Sequence, residues 1–138
     1  MKDESNEFLS KILYPEEYDF NYIKTYCSLN SELKQLIEKS GNKKEFSRKY
    51  FRNLQFLVKL KKNCVEIASF EKLKNVDNDL YSIRFIGSKN IRIIFIFKEI
   101  HDKEQVILLN VFQEKDAIDY SKGILVAYDR ITKIFRGK

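Results

Sequence analysis

The sequence contains very little proline and glycine, with one Pro and four Gly in 138 residues. Long irregular loops are rich in these two residues, so their scarcity predicts a chain of helices and strands joined by short turns. Tryptophan is absent, and there is a single histidine. The two cysteines, Cys27 and Cys64, lack the spacing of a zinc or redox motif. We therefore expect no metal site and two buried or reduced thiols.

Long hydrophobic runs are also missing. No segment approaches the roughly 18 uncharged apolar residues that would indicate a membrane span, and the first ten residues, MKDESNEFLS, contain no apolar core of a signal peptide. We expect no membrane partner and a cytoplasmic location. The chain has no GxSxG, HExxH, P-loop or GxGxxG motif, and His101 stands alone in a polar turn, where we expect a surface residue.

Aromatic and basic residues are plentiful. Hydrophobic residues make up 43% of the chain and aromatic residues 14%, which is enough to form the core of one domain at this length. The formal net charge is +6, and residues 43–62 carry eight basic residues against one acid, Glu45. This segment would attract a phosphate backbone or an acidic protein segment, or it is a solvated helix face. Its basic residues are Lys43, Lys44, Arg48, Lys49, Arg52, Lys59, Lys61 and Lys62.

Hydrophobic periodicity predicts the order of the elements. Residues 1–19 are expected to be an N-terminal appendage with a short amphipathic helix ending near Pro15, and residues 20–138 a single domain. Within that domain we predict a strand at 20–29, a helical hairpin at 30–39 and 42–63, a short strand within 65–73, strands at 80–86, 91–98 and 105–112, and a final helix from about 117. Short connections join the last three strands, so they should form an antiparallel meander. The fold class is α+β with an antiparallel sheet.

Alternation along the meander places arginines inside the sheet. Ser82 and Arg84 should share one face of their strand, and Arg92 and Lys98 one face of the next. An arginine in an apolar strand requires an open face, an acidic partner or a bound anion. A purely structural interpretation pairs these arginines with acids at the rim, such as Glu114 or Asp79. Acids at the start of the last helix, Glu114, Asp116 and Asp119, could be catalytic carboxylates, but they are also common where the helix dipole favours them.

The stretch "LYSIRF", a Gly-containing turn, "IRIIFIF" and "ILLNVFQEKDAIDYSKGILVAYDRI" together resemble the toxins of the RelE/ParE superfamily, including its HigB and phage-type branches. The resemblance covers about residues 22–131. It implies a RelE-like fold and a toxin of a type II toxin–antitoxin system. In the RelE and HigB branches such a toxin is an endoribonuclease that cuts mRNA on the ribosome. The implied partners are a cognate antitoxin, the ribosome and mRNA, without a small-molecule cofactor.

The resemblance also implies site residues. The basic pair of the first meander strand falls on Ser82 and Arg84, the arginine of the next strand on Arg92, and the terminal tyrosine on Tyr120. Glu114 stands where the family tends to have a cation, with Lys115 beside it. The implied catalytic set is Arg84, Arg92, Lys115 and Tyr120. The implied RNA-binding set is Lys43, Lys44, Lys49, Arg52, Ser82 and Lys98.

Metal-free RNA cleavage needs a base for the 2′-OH, cations for the phosphate and an acid for the leaving 5′-oxygen. The two arginines suit the phosphate, Lys98 or Lys115 could be acid or clamp, and Tyr120 could be a base only if nearby cations lowered its pKa from about 10. Two alternatives remain open from the sequence. One is a ParE-like inhibitor of DNA gyrase without nuclease activity, and the other is a non-catalytic interaction module on the same fold.

Overall fold

The computed structural model describes residues 6–74, 76, 79–86 and 90–136. Its strands are β1 (Leu9–Ser10), β2 (Ile23–Tyr26), β3 (Phe70–Lys72), β4 (Tyr81–Phe85), β5 (Ile91–Ile100) and β6 (Lys103–Gln113). Its helices are α1 (Leu29–Ile37), α2 (Lys43–Leu60) and α3 (Ala117–Arg136), and a short 3₁₀ helix follows α2 at Lys61–Glu66. The six strands form one sheet in the order β1-β2-β6-β5-β4-β3.

The predicted meander is confirmed. β4 pairs antiparallel with β5, and β5 pairs antiparallel with β6. The β5–β6 connection is a two-residue loop, His101 and Asp102, whose φ angles of 53° and 67° are both positive. Two positive φ angles are the mark of the tight hairpin turn that matches the twist of the strands. The predicted turn around residues 87–89 and most of the one around 75–78 lie outside the described residues.

The prediction of an antiparallel sheet is wrong for one pair of strands. β2 runs parallel to β6, with Ile23 opposite Val106 and Thr25 opposite Leu108, so the sheet is mixed. Parallel neighbours need a long crossover connection. Here both N-terminal helices and three strands separate β2 from β6 in the sequence. Short turns fixed the meander, whereas no local signal fixed this pairing.

The N-terminal segment is not helical in its described part, from residue 6. β1 pairs antiparallel with β2, and Ile12 forms an isolated bridge with Tyr18. The side chain of Asn30 accepts hydrogen bonds from the backbone N–H groups of Leu13 and Tyr14, at 2.9 and 3.2 Å, and these bonds keep the segment extended. Because Ile12, Tyr14 and Tyr18 are buried in the main core, this segment contributes to the packing of the domain.

Helices cover both faces of the sheet. α1 and α2 pack on one face with the larger core, and α3 packs on the other face with a second cluster. The helical-hairpin prediction is right about the two successive helices, but α1 lies against β2 and β6 while α2 lies against β4. The second helix ends at Leu60, three residues before its predicted end, because the chain tightens there into the 3₁₀ helix.

Close contact between α3 and β6 fixes the position of the last helix. A side chain at Gly123 would place its Cβ atom 2.3 Å from Cε1 of Phe112, so only glycine allows this approach. The Asn110 side chain donates a 3.0 Å hydrogen bond to the Gly123 carbonyl. A bulge leaves Leu109 without a partner on β5, and Arg130 of α3 donates to its carbonyl at 2.9 Å. These contacts hold the first turn of α3 beside the ends of β4, β5 and β6.

Candidate active site

A cleft of about 540 Å³ opens where the end of β4, the start of β5 and the segment between β6 and α3 meet. Arg84 and Arg92 are direct cross-strand partners in it, a register that the alternation within each strand did not predict. The backbone N–H of Glu114 donates to the carbonyl of Asn90 at 2.8 Å, which closes the wall between β5 and α3. The cleft is lined by Arg84, Phe85, Ile86, Asn90, Ile91, Arg92, Glu114, Lys115, Asp116 and Ala117.

Arg92 forms the floor of the cleft, and two of its three guanidinium nitrogens are bound by neighbouring side chains. Its side chain is 7% exposed, and its Nε donates to Glu114 Oε1 at 2.8 Å. Its Nη1 donates to Ser82 Oγ at 2.8 Å and to Glu71 Oε1 at 3.2 Å. A guanidinium group bound in this way neutralises its own charge locally and fixes its partners in place. The interpretation that pairs Arg92 with Glu114 is therefore confirmed, and its role as a phosphate ligand stays a prediction.

Arg84 and Lys115 are the available cations of the cleft. Both residues are exposed, and neither side chain has an ion pair or hydrogen bond to any described residue. The suggested pairing of a rim arginine with Asp79 does not occur, because Asp79 lies 3.7 Å from Lys72. The cleft thus presents two unpaired positive charges beside a floor in which Arg92 is paired with carboxylates, and the two free cations favour an anionic ligand.

Tyr120 lies on the first turn of α3 beside Arg92. The guanidinium carbon of Arg92 is 5.0 Å from the centre of the Tyr120 ring, which is a cation–π contact. Burial raises the pKa of the Tyr120 hydroxyl, and this effect outweighs the opposing influence of Arg92. This direction is opposite to the lowered pKa that a general base would need, and the catalytic role of Tyr120 stays a prediction.

The acids at the start of α3 have different tasks. Asp119 accepts from the backbone N–H of Lys115 at 2.8 Å, and Asp116 accepts from that of Ile118 at 3.0 Å. Both therefore bind free N–H groups of the first turn, as the helix-start interpretation predicted. Glu114 differs, because its Oε1 is bound by Arg92 while its Oε2 has no hydrogen bond to a described residue. Glu114 is therefore a carboxylate of the cleft that is held by an arginine and still has one oxygen available.

No family model, curated protein or solved structure matches this chain. The RelE/ParE resemblance therefore remains a prediction that rests on the residues quoted for it, and the geometry above stands on its own.

The predicted RNA-binding residues do not form one site. Ser82 is completely buried beneath Arg92 and cannot reach a ligand at the surface. Lys98 lies six residues from Arg92 along β5, about 20 Å away, and is 5.4 Å from the Phe135 ring. Lys43 pairs with Glu38 at 3.1 Å. The remaining three lie along α2, where Lys49 pairs with Glu45 and donates to the Ile86 carbonyl, and Lys44 and Arg52 are exposed.

Sequence reasoning missed Glu71. It lies on β3 directly opposite Ser82, on the same face as Arg92, and its carboxylate accepts a further hydrogen bond from the guanidinium group of Arg92. The register of β3 against β4 would have revealed it, but β3 has only three residues and a weak periodicity. Within the described part of the chain, no group of three or more His, Cys, Asp or Glu residues could hold a metal ion. None of the described helices is long and apolar enough to cross a membrane.

Proposed function

We propose that the chain is a toxin of a type II toxin–antitoxin system that cleaves mRNA on the ribosome without a metal ion. The observation that carries this proposal is the cleft, in which two unpaired cations, Arg84 and Lys115, face an oriented carboxylate, Glu114. Cations and a base in one cleft are the groups that metal-free RNA cleavage needs. The RelE/ParE resemblance of the sequence supplies the substrate class.

In the proposed reaction, the phosphate next to the cleaved bond lies between Arg84 and Lys115. Glu114 accepts the proton of the ribose 2′-OH, and the 2′-oxygen forms a bond to phosphorus while the bond from phosphorus to the 5′-oxygen breaks. The Lys115 ammonium group donates a proton to the leaving 5′-oxygen. The products are a 2′,3′-cyclic phosphate and a 5′-OH end. Arg84 stabilises the charge on the phosphate oxygens, since its guanidinium stays protonated and donates in a fork.

Arg92 and Tyr120 act as positioning residues in this scheme. Arg92 holds Glu114 through Nε and is itself held by Ser82, Glu71 and the ring of Tyr120. The set contains no histidine. Slow chemistry that depends on the ribosome to position the substrate is consistent with this set.

A second function is favoured by one observation. Arg92, the arginine that the resemblance makes catalytic, is almost completely buried and bound by two carboxylates. An arginine engaged in this way suits a non-catalytic interaction module on the same fold, in which the cleft binds an acidic partner and cuts nothing.

The experiment that separates these functions is a reconstituted translation reaction with one defined mRNA. Cleavage would be mapped by primer extension for the wild type, Arg84→Ala, Glu114→Gln and Lys39→Ala. We expect the wild type and the Lys39→Ala control to cut translated mRNA, because Lys39 is an exposed lysine at the end of α1, away from the cleft residues. The two cleft variants should lose at least about tenfold in rate.

Intact mRNA with folded wild-type protein and active ribosomes would contradict the proposal. The interaction module would then be supported if an acidic partner bound the wild type and Arg84→Ala abolished that binding.

A further inference from the structure

The outward face of α2 carries a continuous row of cations. At about 100° per residue, four basic residues and Gln55 fall within an arc of about 100° on the side opposite the buried positions of the helix. The four basic residues are Lys44, Arg48, Arg52 and Lys59. All four are exposed, and none has an ion pair or hydrogen bond to a described residue. The helix has one acid, Glu45, and it pairs with Lys49 at the border of this arc. The row is therefore an unopposed positive surface.

An aromatic side chain is exposed within the same arc. Phe51 is 39% exposed, although phenylalanine is normally buried. Its ring centre lies 5.0 Å from that of Tyr18 and 5.8 Å from that of the half-buried Phe20. The covered side of the Phe51 ring thus rests on two further rings, which hold it in place beside Arg48 and Arg52 and leave part of it exposed.

This row reaches the cleft. Phe46, on the first turn of α2, packs on Phe85 with ring centres 4.9 Å apart, and Lys49 donates a 3.0 Å hydrogen bond to the Ile86 carbonyl. Phe85 and Ile86 both line the cleft. The N-terminal half of α2 therefore lies against the cleft wall, and a chain that leaves the cleft past Ile86 meets the cations of α2.

We propose that the outward face of α2 binds single-stranded RNA, with phosphates on Lys44, Arg48, Arg52 and Lys59 and a base stacked on Phe51. Basic residues four apart on a helix are about 6 Å apart along its axis, so they can follow a flexible backbone phosphate by phosphate. An unpaired base can stack on an exposed ring, whereas a base inside a duplex cannot. This inference rests on the proposed function, because that function supplies the RNA substrate. It adds the surface on which the RNA strand lies outside the cleft.

The acids nearest to the aromatic group belong to the loop before β2. Glu17 is neutralised by Lys11 at 2.8 Å, and Glu16 and Asp19 are exposed on either side of Tyr18 in the sequence. Their charge opposes a phosphate at that end, so we expect the strand to leave Phe51 toward Arg52 and Lys59.

The test is fluorescence anisotropy with a labelled 2′-O-methyl uridine 12-mer, which has no free 2′-OH and cannot be cut by the proposed reaction. A 12-base-pair RNA duplex and a polyglutamate peptide of equal charge are the comparison ligands. We expect the single strand to bind at least tenfold more tightly than either one. Equal or tighter binding of the duplex, or preferred binding of the acidic peptide, would overturn the inference.

Variants separate the charges from the ring. Arg48→Gln with Arg52→Gln should lower the slope of log affinity against log salt by about 1.4, since each phosphate contact on a single strand contributes about 0.7. Lys34→Gln on α1 together with Lys39→Gln in the turn after it removes the same charge from exposed positions outside the row and should leave the slope unchanged. If both double variants lowered the slope equally, the row would have no specific role.

Phe51→Leu should weaken single-strand binding about tenfold at every salt concentration. Phe51→Tyr should bind the single strand as the wild type does, because tyrosine keeps the stacking surface. Unchanged binding by a folded Phe51→Leu protein would overturn the stacking part. Binding without cleavage in the translation reaction would leave this inference standing while the proposed function fails. If mRNA were cleaved while the Arg48/Arg52 and Phe51 variants bound the single strand as tightly as the wild type, the proposed function would stand and this inference would fail.

Discussion

Arg92→Met is the change that most directly examines the floor of the cleft. Methionine keeps an unbranched stem of similar length beside the Tyr120 ring, but it removes the charge and every donor. Glu114 and Glu71 would lose their counter-charge, and the buried Ser82 hydroxyl would lose its 2.8 Å partner. The variant should therefore be less stable than the wild type.

The size of the effect follows from the exposure of the two carboxylates. Truncating one partner of a fully buried ion pair costs about 3 to 5 kcal/mol, and an exposed pair contributes about 0 to 1 kcal/mol. Arg92 is 7% exposed, but Glu114 is 28% and Glu71 is 51% exposed, so water can solvate the orphaned acids. We expect a loss of about 2 to 3 kcal/mol in the free energy of unfolding.

The measurement is urea denaturation followed by far-UV circular dichroism, since the chain has no tryptophan. Glu114→Gln in the Arg92→Met background should recover about 1 kcal/mol, because it removes one of the unpaired charges. Lys98→Met, at the exposed far end of the same strand, is the control and should change stability by less than about 0.5 kcal/mol. A loss below about 0.5 kcal/mol for Arg92→Met would refute the reasoning.

Three further predictions concern the packing. Gly123→Ala, which normally stabilises a helix by about 1 kcal/mol, should instead lower the unfolding free energy by about 1 kcal/mol, because its Cβ would lie 2.3 Å from the Phe112 ring. Phe112→Leu in the same chain should relieve this loss, and a more stable single variant would contradict the close contact. Tyr50→Phe should not reduce stability, since the buried Tyr50 hydroxyl has no hydrogen-bond partner among the described residues; a loss above about 1 kcal/mol by urea denaturation would disprove this. Burial raises the pKa of the Cys64 thiol to about 11, so iodoacetamide at pH 8 should label exposed Cys27 first, and equal labelling rates in the folded protein would count against the burial.

Local patterns were sufficient for the part of the fold that local contacts build. The strands at β4, β5 and β6 follow from period-two alternation and short turns, whereas the register that sets Arg84 opposite Arg92 comes from the structure. The parallel pairing of β2 with β6 depends on residues about 80 positions apart, so no short-range pattern could predict it. The N-terminal segment has scattered apolar residues that suit a helix, but the side chain of Asn30 binds its backbone and keeps it extended.

Arg84, Arg92, Lys115 and Tyr120 lie together around one cleft or in contact with its floor, and their catalytic roles stay predictions. The sequence offered Glu114 as a partner of Arg92. It could not show the second partner, Glu71, because that residue lies on a three-residue strand whose register is not readable. Burial of the Tyr120 ring, which raises its pKa, depends in the same way on how α3 packs.

The chemical nature of the cut ends in a reconstituted translation reaction tests the central claim most directly. If Glu114 takes the 2′-OH proton and the 2′-oxygen attacks phosphorus, mass spectrometry of the mRNA fragments should find a 2′,3′-cyclic phosphate and a 5′-OH at each cut. Neither should form with Glu114→Gln. Intact mRNA, or fragments that carry a 5′-phosphate and a 3′-OH, would contradict the account.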